Sequence, residues 1–337
     1  MIGNLLTRLT SRSSPRKRGP RLASRLDSRF RGNERKIGHL LAALFLAAFL
    51  PQPAQSQTAT AVGNERILIE YMEPRHPIFA YYTDADDPAQ AEEVQTNIKT
   101  YKRYMAIMER LKTRRVMEEF SRFLAPLKLP ITLRLRTMQC GEVNAFYDPA
   151  DSSINLCYEF VADIEDRAPR ATTPEGITRD EVIVGQIVGT LLHEGGHAIS
   201  NLLRLPVLGR EEDTADQIAA FVMLQFGRDI ARTLIKGETF GWNQRQRTAS
   251  RFWGPHSTAL QRQHTFLCLA YGSDPQGFED FVTKFRWLPK ARADNCASEY
   301  QQVLHAFRET IVPHLDMALV KQMREKPLTF PMPGDGK

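Results

Sequence analysis

The sequence predicts an α+β protein built from a small antiparallel sheet, a central pair of helices and a helical C-terminal lobe. Three observations carry that expectation. Short β-rich or alternating stretches stand at residues 67–71, 131–136, 144–147 and 154–158. Apolar residues three and four apart run from Val94 to Leu124 and again through the last third of the chain. Between these regions His193 and His197 stand four apart on an apolar helical run, and Glu212 and Asp216 repeat that spacing on a second one.

The chain has 337 residues, 42% hydrophobic and 25% charged, ordinary values for a globular protein of one large or two modest domains. Its net charge of +6 misleads. Residues 1–37 hold eleven Lys/Arg against two Asp/Glu, and setting that +9 aside leaves about −3 for the remainder. The basic residues lie in one removable tail without interleaved aromatics, so no nucleic-acid partner is expected. That tail reads as a targeting segment. Arg35 and Lys36 precede an apolar run from Leu40 to Leu50, and the small-residue triplets at 54–56 and 59–61 both fit a signal-peptidase site. The run falls short of the roughly 20 residues a membrane-spanning helix needs, so cleavage is expected and a permanent membrane anchor is not. The expected organisation is an N-terminal extension and signal peptide over 1–61, one domain over 62–326, and a flexible Pro/Gly-rich tail over 327–337.

Four cysteines, Cys140, Cys157, Cys268 and Cys296, fit an exported protein, periplasmic or secreted. Sequence neighbourhood favours pairing Cys140 with Cys157 and Cys268 with Cys296, with free buried thiols as the alternative. A bridge closing the first loop would contribute about 3 kcal/mol in the chain-entropy model.

In chain order, residues 67–71 read as a first strand and 84–88 as a loop. Val94, Ile98, Tyr101, Met105, Met108, Leu111, Phe120 and Leu124 then form one continuous apolar helical stripe, ended by Pro126 and Pro130. Residues 131–136 alternate as a half-buried strand does, and 144–147 and 154–158 make a hairpin about the turn 148–151. An exposed hairpin edge can pair with an extended peptide through its main chain, which makes Asn144 and Ala145 candidate substrate-binding residues. Thr178 or Asp180 caps the next helix, and Val184, Val188, Leu191 and Leu192 form its buried side. Helical stripes at 258–271, 276–285 and 297–311 complete the chain.

The chemistry sits in residues 191–216. Side chains four apart on a helix share a face, so His193 and His197 can present two imidazoles to one metal ion while Glu194 points into the same cleft as a base. Catalytic zinc takes a third protein ligand, for which Glu212 is the candidate and adjacent Glu211 the alternative. Asp216, one turn after Glu212, is placed to accept the other N–H of a ligand histidine. Gly195 and Gly196 each cost about 1 kcal/mol against alanine inside a helix, so a strand, a substrate or the second helix must approach closely there.

The combination of residues 193–197 (His-Glu-Gly-Gly-His) with 212–216 (Glu-Asp-Thr-Ala-Asp) resembles the gluzincin clan of zinc metallopeptidases, and 144–147 (Asn-Ala-Phe-Tyr) is similar to the substrate-binding edge strand of thermolysin-like members. More closely, the stretches at 140–147, 208–213 and 268–275 resemble an uncharacterised bacterial family of proposed metallopeptidases, exported and cysteine-bearing, across residues 65–315. The resemblance implies a zincin-like domain, zinc held by His193, His197 and Glu212, a general base at Glu194, and Asp216 behind a ligand histidine. The chain departs from thermolysin in lacking its downstream histidine motif, and from the prenyl-protein peptidases in lacking their membrane helices.

The expected activity is hydrolysis of peptide bonds in a peptide or protein substrate, through a zinc-bound water activated by Glu194. The developing oxyanion needs a donor, and His256 is preferred over His264, Tyr271 and Tyr147 because Trp253-Gly254-Pro255-His256 places it on a turn before a helix. The competing expectation is a catalytically inactive zincin-like peptide-binding or structural protein. Glu194 separates the two, since a structural zinc site needs no carboxylate beside its first histidine.

Overall fold

The computed structural model describes residues 64–76, 88–245 and 253–325. The expected signal region, most of the expected loop at 84–88, and the C-terminal tail lie outside the described residues. Strand β1 (Ile67–Tyr71) is followed by helices α1 (Pro88–Thr113) and α2 (Val116–Leu124), then by β2 (Leu133–Met138), β3 (Ala145–Asp148) and β4 (Ser153–Cys157). Helices α3 (Tyr158–Arg167), α4 (Arg179–Leu202), α5 (Glu211–Gln225) and α6 (Arg228–Arg245) form the centre. The C-terminal lobe holds α7 (Ala259–Ser273), the single turns α8 (Asp280–Thr283) and α9 (Lys290–Ala293), α10 (Cys296–Thr310) and α11 (Met317–Glu325). The fold is α+β, with a small sheet and helical C-terminal lobe as expected.

The sheet itself corrects one expectation. Its order is β1-β2-β4-β3, and only the β3–β4 edge pair is antiparallel; β1 with β2 and β2 with β4 run parallel. The chain returns from β1 to β2 through two helices, which is the crossover parallel strands require. Residues 139–144 then carry it past the next position to the sheet edge, so β4 fills the gap between β2 and β3. As an interior strand β4 is buried along its whole length, where the sequence predicted alternation. Strand β2 does alternate, with Leu133 and Leu135 inward and Arg134 and Arg136 reaching Glu70 on the outer face.

The stripe from Val94 to Leu124 is two helices rather than one. Arg115 takes φ 54, a left-handed conformation, and the turn it makes swings α2 so that Met117, Phe120 and Leu124 are buried in the core. An apolar period can continue across a break that a single backbone dihedral introduces. The helix expected at 276–285 is a single turn, held by Arg232 on Asp280 and by burial of Phe278 and Phe281. Both expected disulfides are present, Cys140–Cys157 tying the loop before β3 to the end of β4, and Cys268–Cys296 tying α7 to α10. Among the described residues no helix is long and apolar enough to cross a membrane.

Helix α4 is the axis of the domain. Thr178 starts it with a capping box, its side chain accepting from the Glu181 N–H while Glu181 accepts from the Thr178 N–H. Most of its residues are buried, and it packs on α5, α6, β3 and β4. A helix buried on nearly every side can hold polar groups only where they are paired.

Candidate metal centre

Helix α4 places His193 and His197 one turn apart on the face toward α5, with their Nε2 atoms 3.3 Å from each other. Glu212, in the first turn of α5, puts Oε2 3.2 Å from His193 Nε2 and 3.3 Å from His197 Nε2. The α4–α5 approach that brings them together runs through Gly196, where a Cβ would stand 2.8 Å from the Ala215 Cα. That confirms the expected close approach of the second helix. Gly195 has a different neighbour, the Phe120 ring, at an ordinary 3.4 Å.

The outer nitrogen of each histidine is already committed. His193 Nδ1 lies 2.9 Å from Asp216 Oδ1, and His197 Nδ1 lies 3.0 Å from Glu211 Oε1. The Arg262 guanidinium also lies 3.3 Å from His193 Nδ1, but it can only donate, so the nearer carboxylate takes the Nδ1 proton. Neutral rings that donate from Nδ1 turn Nε2 lone pairs inward, and these face each other and the Glu212 oxygen across 3.2–3.3 Å. Three inward lone pairs call for a cation. A tetrahedron with zinc–ligand distances of about 2.0–2.1 Å has edges of about 3.3–3.4 Å, and the observed triangle matches it. Glu212 Oε2 is buried and lacks a hydrogen-bond partner of acceptable geometry despite these neighbours, as expected of an atom aimed at a common centre. The donors therefore fit a metal ion.

Without a metal, protons take that role. Burial alone would push His193 down, but the facing carboxylates of Asp216 and Glu212 outweigh it and push its pKa up to about 9. His197 moves upward against burial through Glu212 and Glu211. Burial would raise Glu212, yet the histidines hold it well below the usual carboxylate range. Asp216 is held low in spite of burial by His193 and Arg262.

Glu194 follows the first histidine on α4 and lines a cavity together with it. It is buried, accepts the Tyr147 main-chain N–H at 2.9 Å, and burial raises its pKa against the pull of both histidines. Edge strand β3 is thus hydrogen-bonded directly to the carboxylate expected to act as base. A cavity of about 470 Å³ opens beside these groups, lined among others by Asn144, Ala145, His193, Glu194, His256 and Arg262. His256 comes in from the segment before α7, its Nε2 2.9 Å from Glu212 Oε2. Of the residues expected at the site, Asn144, Ala145, His193, Glu194, Asp216 and His256 line this cavity, while His197 and Glu212 adjoin it through their contacts with His193. His264 and Tyr271 are not among the described lining residues, and the Tyr147 hydroxyl is bonded to Asn201.

Sequence reading missed three participants, Arg262, Phe160 and Arg167, and gave a fourth, Glu211, a different role. Arg262 of α7 grips both oxygens of Asp216 at 2.6 and 2.7 Å and lies over the Trp242 ring at 4.1 Å. No spacing in the chain connects it to the histidines; only the packing of α7 on α5 and α6 does. Glu211 was weighed as a rival ligand, whereas it holds the outer nitrogen of His197. Phe160 and Arg167 of α3 also line the cavity, and nothing in their own sequence marks them.

Donors that could hold a metal ion, a buried carboxylate at their side and an open cavity in front are the arrangement of a metal-dependent hydrolase. The chain belongs to the family DUF4344, described as "Putative metallopeptidase", which matches it over residues 96–311. Searches of curated proteins and of solved structures find no match.

Proposed function

We propose that the protein is an exported zinc-dependent peptidase whose centre is His193, His197 and Glu212. The observation that carries this reading is the triangle of inward lone pairs with a zinc-tetrahedron edge, closed beside Glu194 on the cavity side. Zinc bound there supplies Lewis acidity, which polarises a carbonyl and acidifies water. Glu194 takes a proton from the attacking water and delivers it to the leaving amine, for which its raised pKa suits it. The His256 N–H donates to the oxygen on which charge develops. Asp216 and Glu211 keep the ligand histidines in the tautomer that offers Nε2 inward. Asn144 and Ala145, on the rim at β3, pair with the main chain of an extended peptide. The two disulfides support an exported location.

Elemental analysis of the purified protein beside Glu212→Ala and Glu194→Ala tests this. One zinc per chain, lost in Glu212→Ala and kept in Glu194→Ala, is expected, together with peptide hydrolysis that Glu194→Ala abolishes. Folded wild type that takes up no zinc from excess metal sinks the reading. Zinc uptake without turnover of any member of a peptide library favours the peptide-binding alternative.

A further inference from the structure

We propose that Arg210, Asp213 and Ser257 form a clasp that sets His256 against the metal centre, which makes Ser257 and Asp213 positioning residues for the reaction. This rests on the reading of His256 as the oxyanion donor. His256 needs such a device because its own segment gives it little support. Its side chain is 49% exposed, and Trp253 three residues earlier is 83% exposed. Among the described residues, no main-chain hydrogen bond ties residues 253–257 to the rest of the fold. Regular structure resumes at Thr258, where a capping box with Gln261 begins α7.

What holds the segment is a ring of side-chain hydrogen bonds. The Ser257 hydroxyl donates to Asp213 Oδ1 at 2.7 Å and accepts from Arg210 Nη2 at 2.6 Å, while Arg210 Nε donates to Asp213 Oδ2 at 2.9 Å. A guanidinium can only donate and a carboxylate can only accept, so the hydroxyl has a single way to satisfy both, and its orientation is determined. Both charged members make the bonds stronger than neutral ones. The ring sits one residue along from the reacting groups on each side: Asp213 follows Glu212 and Ser257 follows His256. Closing the ring therefore brings the two neighbours face to face, and His256 Nε2 lies 2.9 Å from Glu212 Oε2. Arg210 and Asp213 are anchored in turn by α5, whose first turn also carries Glu211 on His197. One rigid helix start thus references both the ligands and the donor to the same frame. Polar groups arriving from a weakly tied loop otherwise lose the alignment that catalysis needs.

The test combines Ser257→Ala, Ser257→Thr and His256→Ala, singly and as the Ser257→Ala/His256→Ala double variant. Ser257→Ala is expected to lower kcat about tenfold to a hundredfold, the cost of an Ångström-scale misplacement, with KM and zinc affinity unchanged. Ser257→Thr, which keeps the hydroxyl, should retain kcat. In the His256→Ala background, Ser257→Ala should cost nothing further, which a general folding defect would not reproduce. A readout independent of turnover is carbethoxylation of His256 in the metal-free protein, followed by mass spectrometry; Ser257→Ala should speed it several-fold. Unchanged labelling together with unchanged kcat overturns the clasp. So does a further loss of kcat, or of bound zinc, in the double variant. If His256→Ala itself keeps full activity, the reading of His256 as donor is what fails, and the labelling alone decides the clasp, with an unchanged rate refuting it.

Discussion

Replacing Gly196 with alanine tests the link between helix packing and the metal centre. On helix propensity alone the change should stabilise the protein by about 1 kcal/mol. The structure reverses that sign, because the new Cβ would stand 2.8 Å from the Ala215 Cα. Carbon atoms in contact prefer about 3.5–4.0 Å, so α4 and α5 must separate by roughly 1 Å at this point. Overpacking of this kind costs about 1–3 kcal/mol, which cancels or exceeds the propensity gain. The site feels the shift directly. Gly196 stands beside His197 and Ala215 beside Asp216, so opening the contact lengthens the 3.2 and 3.3 Å edges from the histidines to Glu212. Metal sites tolerate about 0.2 Å in ligand distance, and zinc affinity is expected to fall about 10- to 100-fold. Gly195→Ala is the internal control. Its Cβ meets only the Phe120 ring at 3.4 Å, so propensity decides and melting rises by about 2–4 °C. The assays are thermal unfolding of the metal-free protein and competition with a zinc chelator. If the two alanine variants melt alike and bind zinc alike, the close α4–α5 approach does not set the ligand geometry and the argument fails.

Three other outcomes are expected. Arg262→Met leaves Asp216 buried without its guanidinium and should cost about 3–5 kcal/mol, read by denaturant unfolding; a loss below 1 kcal/mol would mean the pair is not buried as found. The pH dependence of stability should change sign with metal. In the metal-free form His193 sits at about 9, above the 6.5 of an ordinary histidine, so its stabilisation is complete below pH 6.5 and is lost as pH rises through 9. Metal-free melting should therefore fall over that window, whereas the zinc-loaded protein, whose ligands must shed protons, should not; parallel curves would refute the assignment. Replacing Cys140 and Cys157 with serine removes a bridge across 17 residues and should cost about 3 kcal/mol, or about 6–12 °C in melting temperature, by calorimetry. A variant that melts like wild type would show that the bridge contributes nothing to stability.

Much of the centre was legible because helices convert spacing into geometry. His193 and His197, and Glu212 and Asp216, share faces at four-residue intervals whatever surrounds them, and a short Pro/Gly connection can return one helix to the other. Gly196 announced the close approach, and Thr178 with Glu181 announced the start of α4. The disulfide pairing followed from neighbourhood. The choice between Glu211 and Glu212 could be argued from the spacing to Asp216, but their division of labour on the two nitrogens of His197 could not.

The elements that sequence reading misplaced are those with no local periodic signal. The strand directions, the burial of β4 on both faces and the break at Arg115 depend on which segments pack against which, and β2 alternates although both its neighbours run parallel to it. Arg262 and the Arg210–Asp213–Ser257 ring join residues some 44 to 69 positions apart, where the chain between them exerts no geometric constraint. By itself the sequence determined the identity and spacing of the donors, because covalent geometry and the helical repeat act over four residues. Tertiary packing alone decided what holds those donors, since charges from distant helices meet only once burial has excluded the water that would otherwise solvate them.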